Sequence, residues 1–181
     1  INPALYEHGE INLLLFAGLT AHDGENKVVP GLAETWNFDE NTNTYSFILR
    51  EGLTFHDGQP LTAEDVKFTI DAIKDPVNGS ENASNFEDVK EVKVIDDTHV
   101  DIVLTAPNVA MPDYLTIGIL PKHILEGEDM TTSDFNQNPV GAGPYKLTSW
   151  DMGQAIVLEK FDDYYQGSPN IDTVVFKIVE D

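Results

Sequence analysis

Apolar and polar positions alternate most clearly between Thr44 and Arg50, where Tyr45, Phe47 and Leu49 fall on one side of an extended chain. Residues two apart share a face of a strand, so this run predicts a strand with its aromatic face turned to a core. The period then changes. Val66, Ile70 and Ile73 recur at helical spacing behind Thr62, whose hydroxyl suits an N-cap, and Glu64 and Asp65 suit the positive end of the helix dipole. Asp75-Pro76 ends that helix, because proline disfavours a helical residue before it. Between strand and helix, Asp57-Gly58 predicts a turn in which glycine takes a positive φ.

The pattern extends on both sides. Asn2-Pro3 is a turn signal, and Ile11 to Phe16 (INLLLF) is an apolar run that fits a buried helix or a buried strand. Gly18 and the polar stretch Ala21 to Asn26 favour the helix, ended by a turn. Val77 to Asn85 reads as a polar loop. Val92 to Ile95 and His99 to Leu104 alternate around Asp96-Asp97-Thr98, which predicts a hairpin with Val100, Ile102 and Leu104 on one face and His99, Asp101 and Val103 on the other. Pro112 to Leu115 favours no single element. Pro121 to Leu125 reads as a short helix with proline first, and Glu126 to Asn138 as a connection with one helical turn near Phe135. Tyr145 to Trp150, Ala155 to Lys160 and Thr173 to Val179 read as three strands. The fold class is α/β in the broad sense, of mixed α+β type.

Composition narrows the function classes. In 181 residues, 41% hydrophobic content with nine Phe, six Tyr and two Trp supports a packed core. Against 32 acidic residues stand only 10 basic ones, a net charge of −22. Such a field repels phosphate backbones and disfavours nucleic-acid binding, while it attracts cations or basic peptides and keeps the surface soluble. There is no Cys, hence no disulfide framework, thiolate nucleophile or cysteine metal site. No apolar run is long enough to cross a bilayer. The chain begins at Ile1 without Met or a leader pattern, which reads as a processed or trimmed chain, from which any secretory leader or lipid-anchor Cys upstream would have been removed.

Candidate chemistry is sparse. His8, His22, His56, His99 and His123 show no i, i+4 pairing and no HExxH. His56 reads as a turn residue, and His123 as capping or packing a short helix. Asp39-Glu40 and Asp96-Asp97 lack the oxygen spacing of a calcium loop. Asn78-Gly79-Ser80 and Asn82-Ala83-Ser84 match the short glycosylation sequon. The segment Val140-Gly141-Ala142-Gly143-Pro144-Tyr145 is glycine-rich, but Pro144 removes a backbone donor and a strand follows, so a phosphate loop is not expected. No nucleophile, base and orienting group occur together, and no cofactor is expected.

Several motifs in fixed order carry a family resemblance: INPALY at Ile1 to Tyr6, LFAGL at Leu15 to Leu19, PGLAETW from Pro30, YSFILREGLTFHDGQPLTAEDVKF from Tyr45, LPKHIL at Leu120 to Leu125, NPVGAGPYKL at Asn138 to Leu147, and IVLEKFDDYY at Ile156 to Tyr165. Together they resemble the solute-binding proteins of bacterial peptide and nickel ABC importers, the family 5 class. The resemblance implies a periplasmic-binding-protein-like fold of type II: a two-lobed extracytoplasmic clamp, in the periplasm or lipid-anchored at the cell surface, that delivers its solute to the transmembrane subunits of an ABC permease. It implies that this chain is the first lobe with an inserted domain, residues 1–20 and 139–181 forming the main part and 21–138 the insertion, with the second lobe absent. Membrane association would come only through a lipid anchor outside these residues.

By position the resemblance implies a ligand site at Tyr6, Glu7 and His8 in a first loop, at Asn82, Ser84 and Asn85 in the polar loop, and at Gly118 within Thr116 to Ile119. Nickel-binding members tend to carry aromatic and Arg side chains at the latter two places, where this sequence has Asn, Ser, Ile and Gly. That departure favours oligopeptides or dipeptides, with Glu7 available to a peptide's amine. Nickel chelates, oligosaccharides, or use of the lobe as a signalling or adhesion module are the alternatives.

Overall fold

The structure, a computed structural model, describes residues 6–177, with side chains from residue 9 onward. The turn signal at Asn2-Pro3 and most of INPALY lie outside it. In chain order the elements are α1 (Tyr6–Leu15), β1 (Thr20–His22), β2 (Val28–Pro30), β3 (Ala33–Asp39), β4 (Thr44–Leu49), α2 (Ala63–Lys74), β5 (Val89–Asp96), β6 (His99–Leu104), α3 (Met111–Tyr114), α4 (Lys122–Leu125), β7 (Tyr145–Asp151), β8 (Ala155–Lys160) and β9 (Thr173–Lys177). They form a β1-β2 ribbon, an antiparallel sheet in the order β3-β4-β6-β5, and an antiparallel sheet in the order β7-β8-β9.

The strand read from Tyr45, Phe47 and Leu49 is β4, and all three side chains are buried. Phe47 pairs in register with Val100 and Tyr45 with Ile102, so the inward faces of β4 and β6 coincide. Trp36 stacks on Phe47 with ring centroids 5.8 Å apart, and Phe38 tilts against Tyr45 at 4.5 Å. Helix α2 closes this face: Val66 and Ile70 are fully buried, and Ile73 nearly so. Aromatic and branched side chains meeting across the strands and under one helical stripe give the larger of two apolar clusters.

The start of α2 is held by its own side chains. Thr62 Oγ1 accepts from the Glu64 N–H at 3.3 Å, and Asp65 Oδ2 accepts from the Thr62 N–H at 2.9 Å, a reciprocal capping box. Asp65 is 5% exposed, and its other oxygen accepts from the Lys122 N–H at 2.9 Å. One turn on, Thr69 Oγ1 donates to the Asp65 carbonyl and accepts from the Leu120 N–H at 2.9 Å. The LPK segment is thereby fixed to α2, and a buried carboxylate finds the donors that burial demands.

The smaller cluster joins α1 to the second sheet through Ile11, Leu15, Tyr145, Ile156 and Leu158. The glycine-rich segment lies against the end of α1. A β-carbon on Gly141 would stand 1.9 Å from the Leu15 carbonyl oxygen and one on Gly143 2.5 Å from that of Leu14, while the Gly143 N–H donates to Leu15 O at 2.9 Å. Glycine serves close backbone approach here. Arg50, the chain's only arginine, donates to Gly31 O and lies over the Tyr165 ring, which ties the FDDYY segment to the first sheet.

Some expectations needed revision. Val77 to Asn85 is not all loop: it contains 3₁₀ turns at Pro76–Asn78 and Ala83–Phe86, the second burying Phe86 completely. Ala21 and His22 belong to β1, which pairs with β2, so only residues 23–27 make the turn. The residues expected as a first loop, 6–8, form the first turn of α1, because no breaker stronger than Gly9 separates them from the apolar run. Pro121 is the N-cap of α4, one residue ahead of the expected place. Met111–Tyr114 settles as one helical turn.

Candidate functional site

A cavity of about 400 Å³ opens where α1, the end of α2 and three connecting segments meet. Helix α1 contributes Asn12 and Leu13, with Phe16 just beyond its last turn; α2 contributes Thr69 and Ile73. Asn82 approaches from the connection after α2, and Thr116, Ile117, Gly118 and Leu120 come from the segment after α3. Leu125, Met130, Phe135, Asn136 and Pro139 complete the wall.

The local sequence explains why these groups converge. The Thr20 N–H donates to Leu115 O at 3.3 Å and the Ile119 N–H to Ala17 O at 2.9 Å, so residues 115–119 run beside the α1–β1 connection. Two glycines allow that approach. A β-carbon on Gly18 would lie 2.6 Å from backbone atoms of Leu115 and Thr116, and one on Gly118 2.4 Å from Cβ of Phe16. The ring of Phe16 meets Phe135 at 6.2 Å. The opposite side is set by the Thr69–Leu120 hydrogen bond.

Although 23% of the chain is charged, none of the fifteen lining residues carries an ionisable group. Leu13 is 75% exposed, an apolar side chain held in the open beside the cavity. The side-chain amides of Asn12 and Asn82 make no hydrogen bond among the described residues, so they remain available to a visitor. Asn136 Nδ2 donates to Met130 O and shapes the wall.

Of the residues expected at a ligand site, the structure brings Asn82 and Gly118 to this cavity. Ser84 and Asn85 sit on the Ala83–Phe86 turn and do not line it; Ser84 points to solvent, and Asn85 is half-buried. The side chains of Tyr6, Glu7 and His8 lie outside those described. Sequence reasoning missed Asn12, Leu13, Phe16, Met130, Phe135 and Asn136. The available signal was INLLLF itself, which holds more apolar residues than one buried stripe uses.

His56 lies away from the cavity and works as a clasp. Its backbone N–H donates to Gly141 O at 2.9 Å, and the Gly141 N–H donates to its Nδ1 at 3.2 Å. A backbone N–H can only donate, so Nδ1 must be bare, and Nε2 then carries the proton given to Gly143 O at 3.0 Å. Burial pulls its pKa from 6.5 to about 4, with Lys146 adding to the effect and the Gly143 bond and Asp57 opposing it. The ring also meets Phe161 edge-on at 5.0 Å. His123 pairs with Asp57 at 2.7 Å beside Phe55 and so packs its short helix. Among the described residues, no group of three or more His, Asp or Glu side chains could hold a metal ion.

Residues 27–181 match the family described as "Bacterial extracellular solute-binding proteins, family 5 Middle". The chain is 35% identical over 178 residues to the oligopeptide-binding protein AppA of Bacillus subtilis, covering 95% of this chain and 33% of that protein. The solved structure of that AppA in complex with a nonapeptide superposes with a TM-score of 0.88 at 33% identity, over 94% of this chain and 35% of the other. NikZ from Campylobacter jejuni in complex with Ni(L-His) superposes with a TM-score of 0.89 at 40% identity, over 92% of this chain and 34% of the other. The chain therefore spans about a third of the length of these relatives. On this match the chain belongs to the bacterial extracellular solute-binding proteins, family 5.

Proposed function

We propose that this chain forms the first lobe of an extracytoplasmic substrate-binding receptor that captures oligopeptides or dipeptides and hands them to the transmembrane subunits of an ABC importer. The observation that carries the reading is its likeness to the nonapeptide complex, together with an open, uncharged cavity beside unpaired amide side chains. A peptide offers apolar side chains and backbone amide groups, and this lining suits both. The protein is a binding protein and not an enzyme. Its place is the periplasm or the outer surface of a bacterial membrane.

In this reading residues 1–20 and 139–181 build the main part of the lobe and 21–138 an insertion. The smaller apolar cluster supports that division, since Ile11, Leu15, Tyr145, Ile156 and Leu158 all come from the two outer segments. A lobe of this size presents half of a site that the remaining length of its relatives would close. The 181-residue chain alone therefore binds peptide weakly or not at all.

A second reading, a nickel chelate as ligand, is favoured by the likeness to NikZ. The uncharged lining weighs against it, because among the described residues no cationic side chain there can form an ion pair with a chelate's carboxylates. Native mass spectrometry of the whole receptor, purified without refolding, separates the two. A co-purified peptide, and a raised melting temperature with a mixed peptide library, are expected. A nickel adduct with no peptide response would overturn the peptide reading.

A further inference from the structure

We propose that the cavity beside α1 is a selective side-chain subsite that takes a large, uncharged apolar side chain and rejects charged ones. This rests on the peptide reading and deepens it. A peptide receptor of broad tolerance does best with roomy, water-filled, polar pockets, since bridging waters accommodate any side chain. This cavity is built otherwise. Phe16, Ile117, Leu125, Met130 and Phe135 present carbon to it, and its volume of about 400 Å³ suits a phenylalanine, leucine or methionine side chain with space to spare.

The contrast with the rest of the molecule makes the inference sharper. The chain has a net charge of −22, yet among the described residues no carboxylate lines this cavity. A cationic side chain entering the cavity would lose water and gain no partner, and an anionic one would face the surrounding negative field as well. Discrimination therefore arises by exclusion as much as by apolar contact. The amides of Asn12 and Asn82 supply the polar handle that an otherwise greasy pocket needs, and they fit the ligand's main chain, which every peptide carries.

Isothermal titration of the whole receptor with alanine pentapeptides tests this, one position at a time being replaced by Phe, Leu, Asp or Lys. At one position Phe and Leu should bind at least about 10-fold more tightly than Ala, with Asp and Lys weaker than Ala. Leu13→Asp is the second arm, chosen because Leu13 is exposed enough for the fold to tolerate the change. It should leave the melting temperature unchanged, weaken the Phe peptide about 10-fold and strengthen the Lys peptide. Binding of all side chains within about 3-fold at every position would overturn this inference and leave the peptide reading standing. Failure of every peptide to bind would remove the peptide reading itself, and this inference with it.

Discussion

Helices α1 and α2 both follow turn signals and both carry apolar residues, yet they are held in place by opposite means. Helix α2 holds itself: Thr62, Asp65 and Thr69 project from its own first two turns and bind the backbone around them. Helix α1 is held by others, since Gly141 and Gly143 press on the carbonyls of its last turn and the imidazole of His56 pins those glycines. The difference shows in what each exposes. Helix α2 buries Val66, Ile70 and Ile73 and turns only Ile73 of that stripe toward the cavity, whereas α1 buries Ile11 and Leu15 and leaves Leu13 open beside it. If α1 offers part of its apolar surface to a ligand, as proposed, that part cannot serve as anchor, and backbone contacts supply the remainder.

Breaking α1's seat should have the largest effect. Gly141→Ala places a methyl 1.9 Å from a backbone oxygen that cannot swing aside, so the helix or the loop must move. The expected loss is about 3 kcal/mol or more in urea denaturation. An unchanged midpoint would mean that the glycine segment does not seat α1.

Breaking α2's hold should cost somewhat less. Asp65→Ala leaves the N–H groups of Thr62 and Lys122 without their acceptor, a loss of about 2–3 kcal/mol by the same measurement. Asp65→Asn keeps one acceptor oxygen and should fall between the two. Equal stability of all three proteins would show that the carboxylate is dispensable.

Acid should sharpen the comparison, because it acts on the clasp on α1's side. The unfolded chain protonates His56 near 6.5 and the folded chain only near 4, so the unfolded state binds more protons in between. Stability therefore falls as pH drops through that window, by about 2 kcal/mol at pH 5 from this group. Lys146, which lowers the imidazole's pKa, and Asp57, which raises it, are the charged neighbours that bear on the ring. His56→Gln, which does not titrate, should show a shallower decline between pH 7 and pH 5. Parallel pH profiles for the two proteins would contradict the clasp.

Much of the first sheet and α2 was legible in the sequence because the relevant signals are local. Thr62, Asp65 and the Val66-Ile70-Ile73 spacing lie within twelve residues, and β4 and the β5–β6 hairpin announce themselves by alternation. What fixes the site is not local. Asp65 meets Lys122 across 57 positions, and His56 meets Gly143 across 87. The glycine-rich segment was not expected to cradle phosphate, since a proline and a strand follow it. Its contact with α1's carbonyls could not be read, because nothing in its own residues names the partner. Asn82 and Gly118 could be placed by resemblance, while Phe16, Met130 and Phe135 looked like ordinary core residues. Composition cannot tell an apolar side chain that faces a core from one that faces a cavity.

The central claim is that ligand enters the cavity beside α1, and amide hydrogen exchange of the whole receptor with and without a Phe-bearing peptide tests it most directly. Bound peptide should slow exchange in residues 12–16, 116–118 and 130–136, and leave the turn at residues 40–43 between β3 and β4, which does not line the cavity, unchanged. Protection centred on that turn or on the outer face of β3-β4-β6-β5, with the cavity segments unaffected, would contradict it.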